Sequence, residues 1–418
     1  MIAVKTFLKK HKPFFCVFLL LTFYELIIVR GCSPWEISTV GYAFLALDYS
    51  FGFASFILPG QIFRLLCGDI TQWKGSVFTA VIYLAVLIGV SALTERLLLS
   101  VKEEDRRELC GLLLFFLLGP CSFTVFFTQI GVIEAYWIPI VLLFFAAMKR
   151  PAAAAVLAVP LSLITLLVNW NAIVCVVPFF CILLLYQLSL ETKKTAKVLL
   201  GVGFLLCVAL SIVLAGYLMV CVPGNMRYSL DEFHAVMLDK GVTFFHYVDS
   251  WLYRVTDRFM NPYFESIDVY ELQKQGFWVY FPEIFKGFFS VVADQFSTRN
   301  PLRNLGPFIA AVPILLLLEG FFLRRVRDKR ICLLRRFSYF CMGAMFFVTL
   351  LITTLFSFDY IKWLSYSLLL LFSSFLFVLS RERDAALGYL KKVFARIPLP
   401  VIVVYFIAYA SVVLDIYY

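Results

Sequence analysis

The chain has 418 residues, of which 62% are hydrophobic, 18% aromatic and only 15% charged. A soluble domain is about half apolar and about a quarter charged, so this composition excludes an ordinary soluble protein. The net charge of +10 does not indicate nucleic-acid binding either, because the basic residues fall in short segments between long apolar runs. Those runs predict an all-α, polytopic membrane protein.

Eleven apolar segments are long enough to cross a bilayer as helices, for which about 17–25 residues suffice. The first follows Lys9, Lys10 and Lys12 and has no small-residue cleavage site after it, so we interpret it as a retained helix rather than a signal peptide. Asn169-Trp170-Asn171 leaves almost no loop between the fifth and sixth segments, and a re-entrant hairpin is the alternative there. The predicted spans are 13–30, 76–94, 109–127, 132–148, 152–168, 171–188, 198–222, 306–323, 337–357, 361–380 and 398–417.

Basic residues predict the orientation of these spans, since cytoplasmic loops are enriched in Lys and Arg. With the N-terminus in the cytoplasm, the inner segments hold 25 of the 37 basic residues and the outer segments hold 12. This orientation places the C-terminus outside. We expect the protein in the cytoplasmic (inner) membrane of a bacterium.

Two of the predicted outer segments are long. The first outer loop, 31–75, contains two apolar stretches that are too short to span a membrane, 40–47 and 51–66. The large outer loop, 223–305, mixes aromatic and charged residues, as helices lying at a membrane surface do. We therefore predict interfacial helices in both loops. The predicted modules are an N-terminal membrane module (1–222), the large outer loop (223–305) and a C-terminal membrane module (306–418).

The sequence lacks the motifs of common soluble enzymes, with no GxGxxG, P-loop, HExxH or CxxC pattern. The histidines, His11, His234 and His246, are not accompanied by a nucleophile elbow. Most cysteines lie inside apolar spans without metal-ligand spacing. Cys32 and Cys67 share the first outer loop, and a disulfide between them stays an open alternative.

Three carboxylates lie near the predicted outer ends of spans: Asp48, Glu134 and Asp359. An acid so close to hydrocarbon is costly unless it is solvated or paired, which favours a functional role. These three are the candidate catalytic residues. The alternative for each of them is an acid at the level of the lipid headgroups.

Cations at the outer surface are candidates for binding a lipid-linked phosphate. Lys362 lies in a short outer link, three residues after Asp359, so the two side chains are predicted to pair. Arg254 and Arg258 are spaced to share one helix face. The candidate substrate-binding residues are Lys362, Arg64, Arg227, Arg254, Arg258 and Trp363.

Residues 10–220 resemble the GT-C class of glycosyltransferases in architecture, with an acid in the first outer loop and a second acid between the third and fourth spans. The resemblance implies that Asp48 is the general base on the acceptor hydroxyl and that Glu134 is the second acid. The apolar neighbours of Asp48 are expected to raise its pKa and make it a better base. The paired D-x-D pattern is missing, since Asp48-Tyr49-Ser50 has one acid. No cofactor is indicated, and a divalent metal is an open but unsupported option.

Two short segments resemble motifs of bacterial multi-pass envelope proteins. DYSFGFASFILPG is similar to D-Y-x-x-G-F-x-S-R-x-L-x-G, and FDYIKW is similar to D-x-x-R-W. The arginine of the first motif is Phe56 here, and that of the second is Lys362. If the arginine binds phosphate in that family, this chain must use another cation, such as Arg64.

These resemblances imply a glycosyltransferase, or a polysaccharide polymerase similar to the Wzy-like O-antigen polymerases, that makes cell-surface glycan. Its partners would be a polyprenyl-phosphate-linked sugar, a glycan acceptor and membrane lipids, with no nucleic acid. A flippase or transporter is the first alternative, although only Glu25 and Glu319 lie within spans and no internal repeat is visible. A non-catalytic subunit of an envelope assembly is the second. The sugar, the linkage and the oligomeric state stay open.

Overall fold

A computed structural model describes most of the chain. The described residues are 11–29, 35–118, 131–245, 248–249, 252, 275, 279, 282–283, 286, 301–356, 360–398, 400–405 and 407. Within these ranges the regular structure is helical, apart from an isolated bridge between Gly52 and Met226. The predicted all-α class is therefore confirmed for the described part of the chain.

Fourteen α-helices carry the fold of the described residues. They are α1 (Lys12–Phe23), α2 (Thr39–Leu45), α3 (Ile57–Cys67), α4 (Gln72–Leu99), α5 (Arg106–Leu118), α6 (Trp137–Ala147), α7 (Pro151–Val168), α8 (Val176–Leu190), α9 (Lys194–Asn225), α10 (Leu230–Asp239), α11 (Pro301–Arg327), α12 (Leu333–Phe356), α13 (Tyr360–Arg381) and α14 (Arg383–Phe394).

Six helical segments of the described chain are long and apolar enough to cross a membrane. They are Gln72–Leu99, Pro151–Val168, Trp170–Leu190, Lys194–Leu218, Leu333–Leu351 and Lys362–Arg381. Each overlaps one of the eleven predicted spans. The other five spans stay predictions, and part of three of them, 13–30, 109–127 and 398–417, lies outside the described residues.

Several helices differ from the predicted spans at their ends. The first span is α-helical only to Phe23 and continues as a π-helix over Tyr24–Val29. The fourth and sixth predicted spans each begin with a 3₁₀ turn, Ile133–Tyr136 and Trp170–Val174. Hydropathy alone does not distinguish these geometries, because most side chains are apolar in all of them.

Two helices lie outside the predicted spans because they are too polar to resemble them. α10 begins with a capping box in which Ser229 and Glu232 bond each other's backbone N–H. α14 is amphipathic, with Leu387 and Leu390 buried and Lys391 and Lys392 in its last turn, where they complement the helix dipole.

Small residues allow α7 and α9 to pack closely. Ala154, Ala155 and Ala158 of α7 are buried. A Cβ added to Gly203 of α9 would lie 2.7 Å from the carbonyl oxygen of Ala155, so a larger residue would push the helices apart. Close backbone approach through small residues is typical of helix pairs in membranes.

A carboxylate ties four helices together at the predicted inner end of the bundle. Glu382 accepts hydrogen bonds from the hydroxyls of Tyr186, at 2.9 Å, and Tyr339, at 2.6 Å. It also forms ion pairs with Arg325 and, at 3.5 Å, with Arg335. These partners come from α8, α11 and α12, and Glu382 directly follows α13.

Replacing this carboxylate should destabilise the bundle. We expect Glu382→Gln to lower the free energy of unfolding by about 1.5–3 kcal/mol, the range for a lost charged hydrogen bond. Denaturant titration in one detergent would measure it. Asp328→Asn is the matched control, since Asp328 pairs with Arg325 at 3.6 Å from a more exposed position and should contribute about 0–1 kcal/mol. Equal effects of the two substitutions would contradict the role of Glu382.

Loops that were predicted to lie on the same side of the membrane contact each other. Arg381 donates to the carbonyl of Met148, and Lys391 pairs with Asp105, so predicted inner segments meet at one end. The first outer loop and the large outer loop meet at the other end, as described below. Which end faces the cytoplasm remains a prediction from charge. In the first outer loop Cys67 is a free thiol, and Cys32 lies outside the described residues.

Candidate functional site

The segment from Ala46 to Phe56 folds as an irregular loop between α2 and α3. Ser55 donates its hydroxyl to the carbonyl of Leu166, and Phe56 donates its N–H to the carbonyl of Leu167. These bonds satisfy carbonyl groups at the end of α7 that have no partner within the helix. Phe56 has a left-handed backbone, with φ of 74°, which is uncommon for a bulky residue. The loop is thereby fixed on the end of α7.

Asp48 lies in this loop and is nearly buried, with 3% of its surface exposed. Its Oδ2 lies 2.8 Å from a guanidinium nitrogen of Arg64 and 3.1 Å from Nζ of Lys240. Its Oδ1 accepts the N–H of Ser50 at 2.8 Å. A buried charge must be paired and hydrogen-bonded, and both conditions are met here. The structure therefore brings together Asp48 and Arg64, two of the predicted site residues.

The predicted direction of the pKa of Asp48 was wrong. Burial does raise the pKa of the carboxyl, but hydrogen bonds from Ser50 and the charge and hydrogen bond of Lys240 outweigh it. The net pKa is lower than the ordinary value of an aspartate. The apolar neighbours in the sequence gave no sign of Lys240, which is 192 residues away. Asp48 is thus ionised at neutral pH and is a weaker base than predicted.

Lys240 joins the large outer loop to the first outer loop. From the C-terminal end of α10 it donates to the carbonyl of Ala46 at 2.8 Å, and its Nζ lies 4.5 Å from the ring centre of Phe51. Its own carbonyl accepts the hydroxyl of Tyr42 at 3.2 Å. The N–H of Arg227 bonds the carbonyl of Phe51 at 2.8 Å. Arg227 therefore reaches the site through its backbone, and its side chain is exposed.

Gly60 sets the distance between α3 and the Asp48 loop. A Cβ at this position would lie 1.8 Å from the carbonyl oxygen of Leu47. We expect Gly60→Ala to lower stability by about 1–3 kcal/mol, as overpacking does, and to shift Arg64 away from Asp48. Thermal unfolding and activity would both report it. Gly111→Ala is the control, because nothing lies within 4 Å of its Cβ position, and a stable Gly60→Ala protein would contradict the packing.

The second predicted carboxylate, Glu134, lies in the 3₁₀ turn before α6 and is 4% exposed. Its Oε1 lies 3.2 Å from Nζ of Lys362 and accepts the amide of Asn169 at 3.3 Å. Its Oε2 is buried and has no hydrogen-bond partner in the part of the chain that the structure describes. Such an orphaned oxygen is expensive to bury, and it leaves one face of the carboxylate ready for a ligand.

Lys362 therefore pairs with Glu134. The predicted pair of Lys362 with Asp359 stays a prediction, because Asp359 lies outside the described residues. Trp363 is 1% exposed, and its ring centre lies 5.5 Å from Nζ of Lys362. Its position supports Lys362 from within the core and does not present a ring face to solvent. Two further candidates, Arg254 and Arg258, also lie outside the described residues.

The carboxylates of Asp48 and Glu134 are both positioned by the C-terminal end of α7. The Asp48 loop caps the last carbonyls of α7, and Asn169, the residue after α7, bonds Glu134. The indole of Trp137 also donates to the carbonyl of Thr165 at 3.1 Å, which fixes the start of α6 on α7. One helix end thus positions two buried acids and the three cations that pair with them.

Aromatic rings lie beside Asp48. The rings of Tyr49 and Phe53 stack with centres 5.8 Å apart, and Tyr217 of α9 lies 6.1 Å from Phe53. Phe53 and Tyr217 are both exposed. Such rings can stack on a sugar or anchor the protein among headgroups.

A cavity of about 900 Å³ extends from Glu134 toward the predicted inner end. Its walls are mainly apolar side chains of α4, α6 and α13. Its volume is in the range of about 300–1,000 Å³ that is typical of small-molecule sites. Glu134, with its orphaned oxygen, is thus placed where a bound molecule can contact it.

Sequence reasoning missed Lys240, Asn169 and Tyr217. The sequence pattern around each of them was weak, because each is a common residue type. The three lie on different segments, and only tertiary packing brings them close to the acids. Among the described residues no group of three or more His, Cys, Asp or Glu side chains is arranged to hold a metal ion.

Comparison with family models, curated proteins and solved structures gives no match for this chain. Its function must therefore be argued from the site itself.

Proposed function

We propose that this protein is a membrane-embedded glycosyltransferase, or a polysaccharide polymerase of related chemistry, that uses a polyprenyl-phosphate-linked sugar at the outer surface of the bacterial cytoplasmic membrane. We further propose about eleven transmembrane helices, with the N-terminus in the cytoplasm and the C-terminus outside. The observation that supports the activity best is the buried Asp48 carboxylate, held by Arg64 and Lys240 beside exposed aromatic rings.

Glycosyl transfer needs a base and a cation close together. Asp48 would take the proton of the acceptor hydroxyl while that oxygen forms its bond to the sugar and the sugar–phosphate bond breaks. The departing phosphate needs a positive partner, which a guanidinium supplies with two parallel hydrogen bonds. Arg64 is suited to this role, because its side chain is 52% exposed and can turn from Asp48 to a bound phosphate. That exchange would also free Asp48 to accept the proton.

A direct assay tests the proposal. Protein in nanodiscs would be supplied with a radiolabelled polyprenyl-phosphate sugar and a glycan acceptor, and the release of polyprenyl phosphate would be followed with time. We expect release that depends on both the protein and the acceptor. The transferase proposal fails if neither the purified protein nor cells that overproduce it consume the labelled donor, and if the Asp48 variants give the same result as the parent protein.

Transport of a lipid-linked glycan is a second candidate, favoured by Glu25. This residue is fully buried in the π-helix of the first span, and both of its carboxylate oxygens lack a hydrogen-bond partner among the described residues. π-helical turns are often found at functional sites, and acids inside membranes often relay protons.

The two candidates predict different results for Glu25→Gln. Proton-coupled transport would be lost, because the amide cannot carry the proton. Glycosyl transfer at Asp48 would continue, because Glu25 is not part of that site. Measuring donor turnover in nanodiscs and glycan translocation in vesicles with the same variant distinguishes them.

A further inference from the structure

The far end of the cavity, away from Glu134, is basic. Arg96 of α4, Lys149 after α6 and Arg383 of α14 line it at the predicted inner surface. Arg381 also lines it and donates to the carbonyl of Met148 at 2.5 Å. The structure gives Arg96, Lys149 and Arg383 no ion-pair partner among the described residues.

The acid at this end is already engaged. Glu95 lines the cavity too, and its carboxylate lies 3.2 Å from Nδ1 of His11 on α1. The basic side chains thus face the cavity mouth with little opposing charge. At the other end of the cavity, the positive charge of Lys362 is balanced by Glu134. An anionic headgroup is therefore complementary to the inner end and not to the outer one.

The walls between the two ends fit a hydrocarbon chain. Leu93, Ile138 and Leu369 are among the apolar residues that line the cavity. Ala92 and Ala146 also line it and are exposed, so the cavity opens sideways as a groove toward the space that lipid would fill. From Tyr366 to Arg381 it follows α13 for roughly 22 Å at the helical rise, most of the thickness of a bilayer core.

We propose that this groove binds one anionic glycerophospholipid of the inner leaflet, with its phosphate among Arg96, Lys149 and Arg383 and one acyl chain between α4, α6 and α13. The proposal goes beyond the transferase function, since the lipid is a resident ligand and not the sugar donor. Its headgroup lies at the opposite end of the bundle from Asp48. Basic clusters at the cytoplasmic side of membrane proteins recognise anionic headgroups in this way.

Native mass spectrometry of the full-length protein tests the headgroup contacts. Titration with phosphatidylglycerol and, separately, with phosphatidylcholine of the same chains should show one tightly retained phosphatidylglycerol. The triple variant Arg96→Gln, Lys149→Gln, Arg383→Gln should bind it on the order of 100-fold more weakly, since each basic residue near a membrane surface contributes about fivefold. The matched control is Lys193→Gln, Lys194→Gln, Lys197→Gln, which removes three charges at the same predicted surface away from the groove.

A second pair of variants tests the chain contacts without removing charge. Ala146→Trp places a large side chain in the open groove and should also weaken binding, whereas Leu210→Trp on the exposed face of α9 should not. Equal retention of the two lipids by the parent protein, or unchanged binding by both groove variants, would overturn the proposal. Displacement of phosphatidylglycerol by a lower concentration of polyprenyl phosphate would also overturn it and assign the groove to the donor. None of these outcomes depends on glycosyl transfer, so the two proposals fail separately.

Discussion

The Asp48→Asn protein should insert and fold, yet form product about 10²–10⁴ times more slowly than the parent, the usual loss when a general base is removed. Asparagine keeps the shape of the side chain and can still accept the N–H of Ser50, but it cannot take a proton from the acceptor. Product formation in nanodiscs and thermal unfolding would be measured on the same preparation. Normal product levels would show that Asp48 is a structural acid only.

The Lys240→Met variant distinguishes a catalytic role of Asp48 from a structural one, because it removes a partner of Asp48 and leaves the carboxylate in place. Hydrogen bonds from Ser50 and the charge of Lys240 together lower the pKa of Asp48, so removal of Lys240 should raise that pKa. A base works only when deprotonated. The acidic limb of the rate profile should therefore lie below the ordinary aspartate range in the parent and move to higher pH in Lys240→Met. If Asp48 only ties the two loops together, Asp48→Asn and Lys240→Met should instead lose activity equally, with no shift of the limb.

The low pKa also gives the contact between the two outer loops a pH dependence. Because the folded-state pKa of Asp48 is lower than its unfolded value, the stability it contributes is present above the unfolded pKa. That stability is lost as the pH falls through the folded pKa. The docking of Lys240 on the Asp48 loop should thus persist at neutral pH and weaken only in strong acid.

The positions of the long helices could be predicted because hydropathy alone determines them. The six long apolar helices all overlap predicted spans, since about 20 consecutive apolar residues have few other uses. α10 and α14 could not be found by this criterion. The π-helix at Tyr24–Val29 could not be found either, since hydropathy does not report the hydrogen-bond pattern of a helix.

The sequence predicted individual residues of the candidate site but not the contacts between them. Asp48, Glu134, Arg64 and Lys362 stood out because charges near hydrocarbon are rare. Their pairing could not be predicted, because it depends on which helix ends meet. The local rule for helix neighbours predicts a pair between Asp359 and Lys362, and it could not predict Glu134, a partner of Lys362 that is 228 residues away in the chain.

The pair of Glu134 and Lys362 should have the largest effect on stability. Both side chains are nearly buried, at 5% and 11% exposure, so Glu134→Gln removes a counter-charge from a nearly buried ammonium. We expect a loss of about 3–5 kcal/mol in the free energy of unfolding, the range for breaking a buried pair by removing one partner. Denaturant titration in a single detergent would measure it.

The double variant Glu134→Gln, Lys362→Met decides what this pair is for. Because the buried cation is then absent as well, most of the lost stability should return, and a double-mutant cycle should give a coupling at or above the upper end of the usual range of about 0.5–3 kcal/mol. A coupling near zero would contradict the pair. If the two residues serve only the fold, the restabilised double variant should turn over the donor at the parent rate. If Glu134 contacts the substrate through its orphaned oxygen, the double variant should be stable but inactive, because restoring the fold does not restore a carboxylate at the end of the cavity.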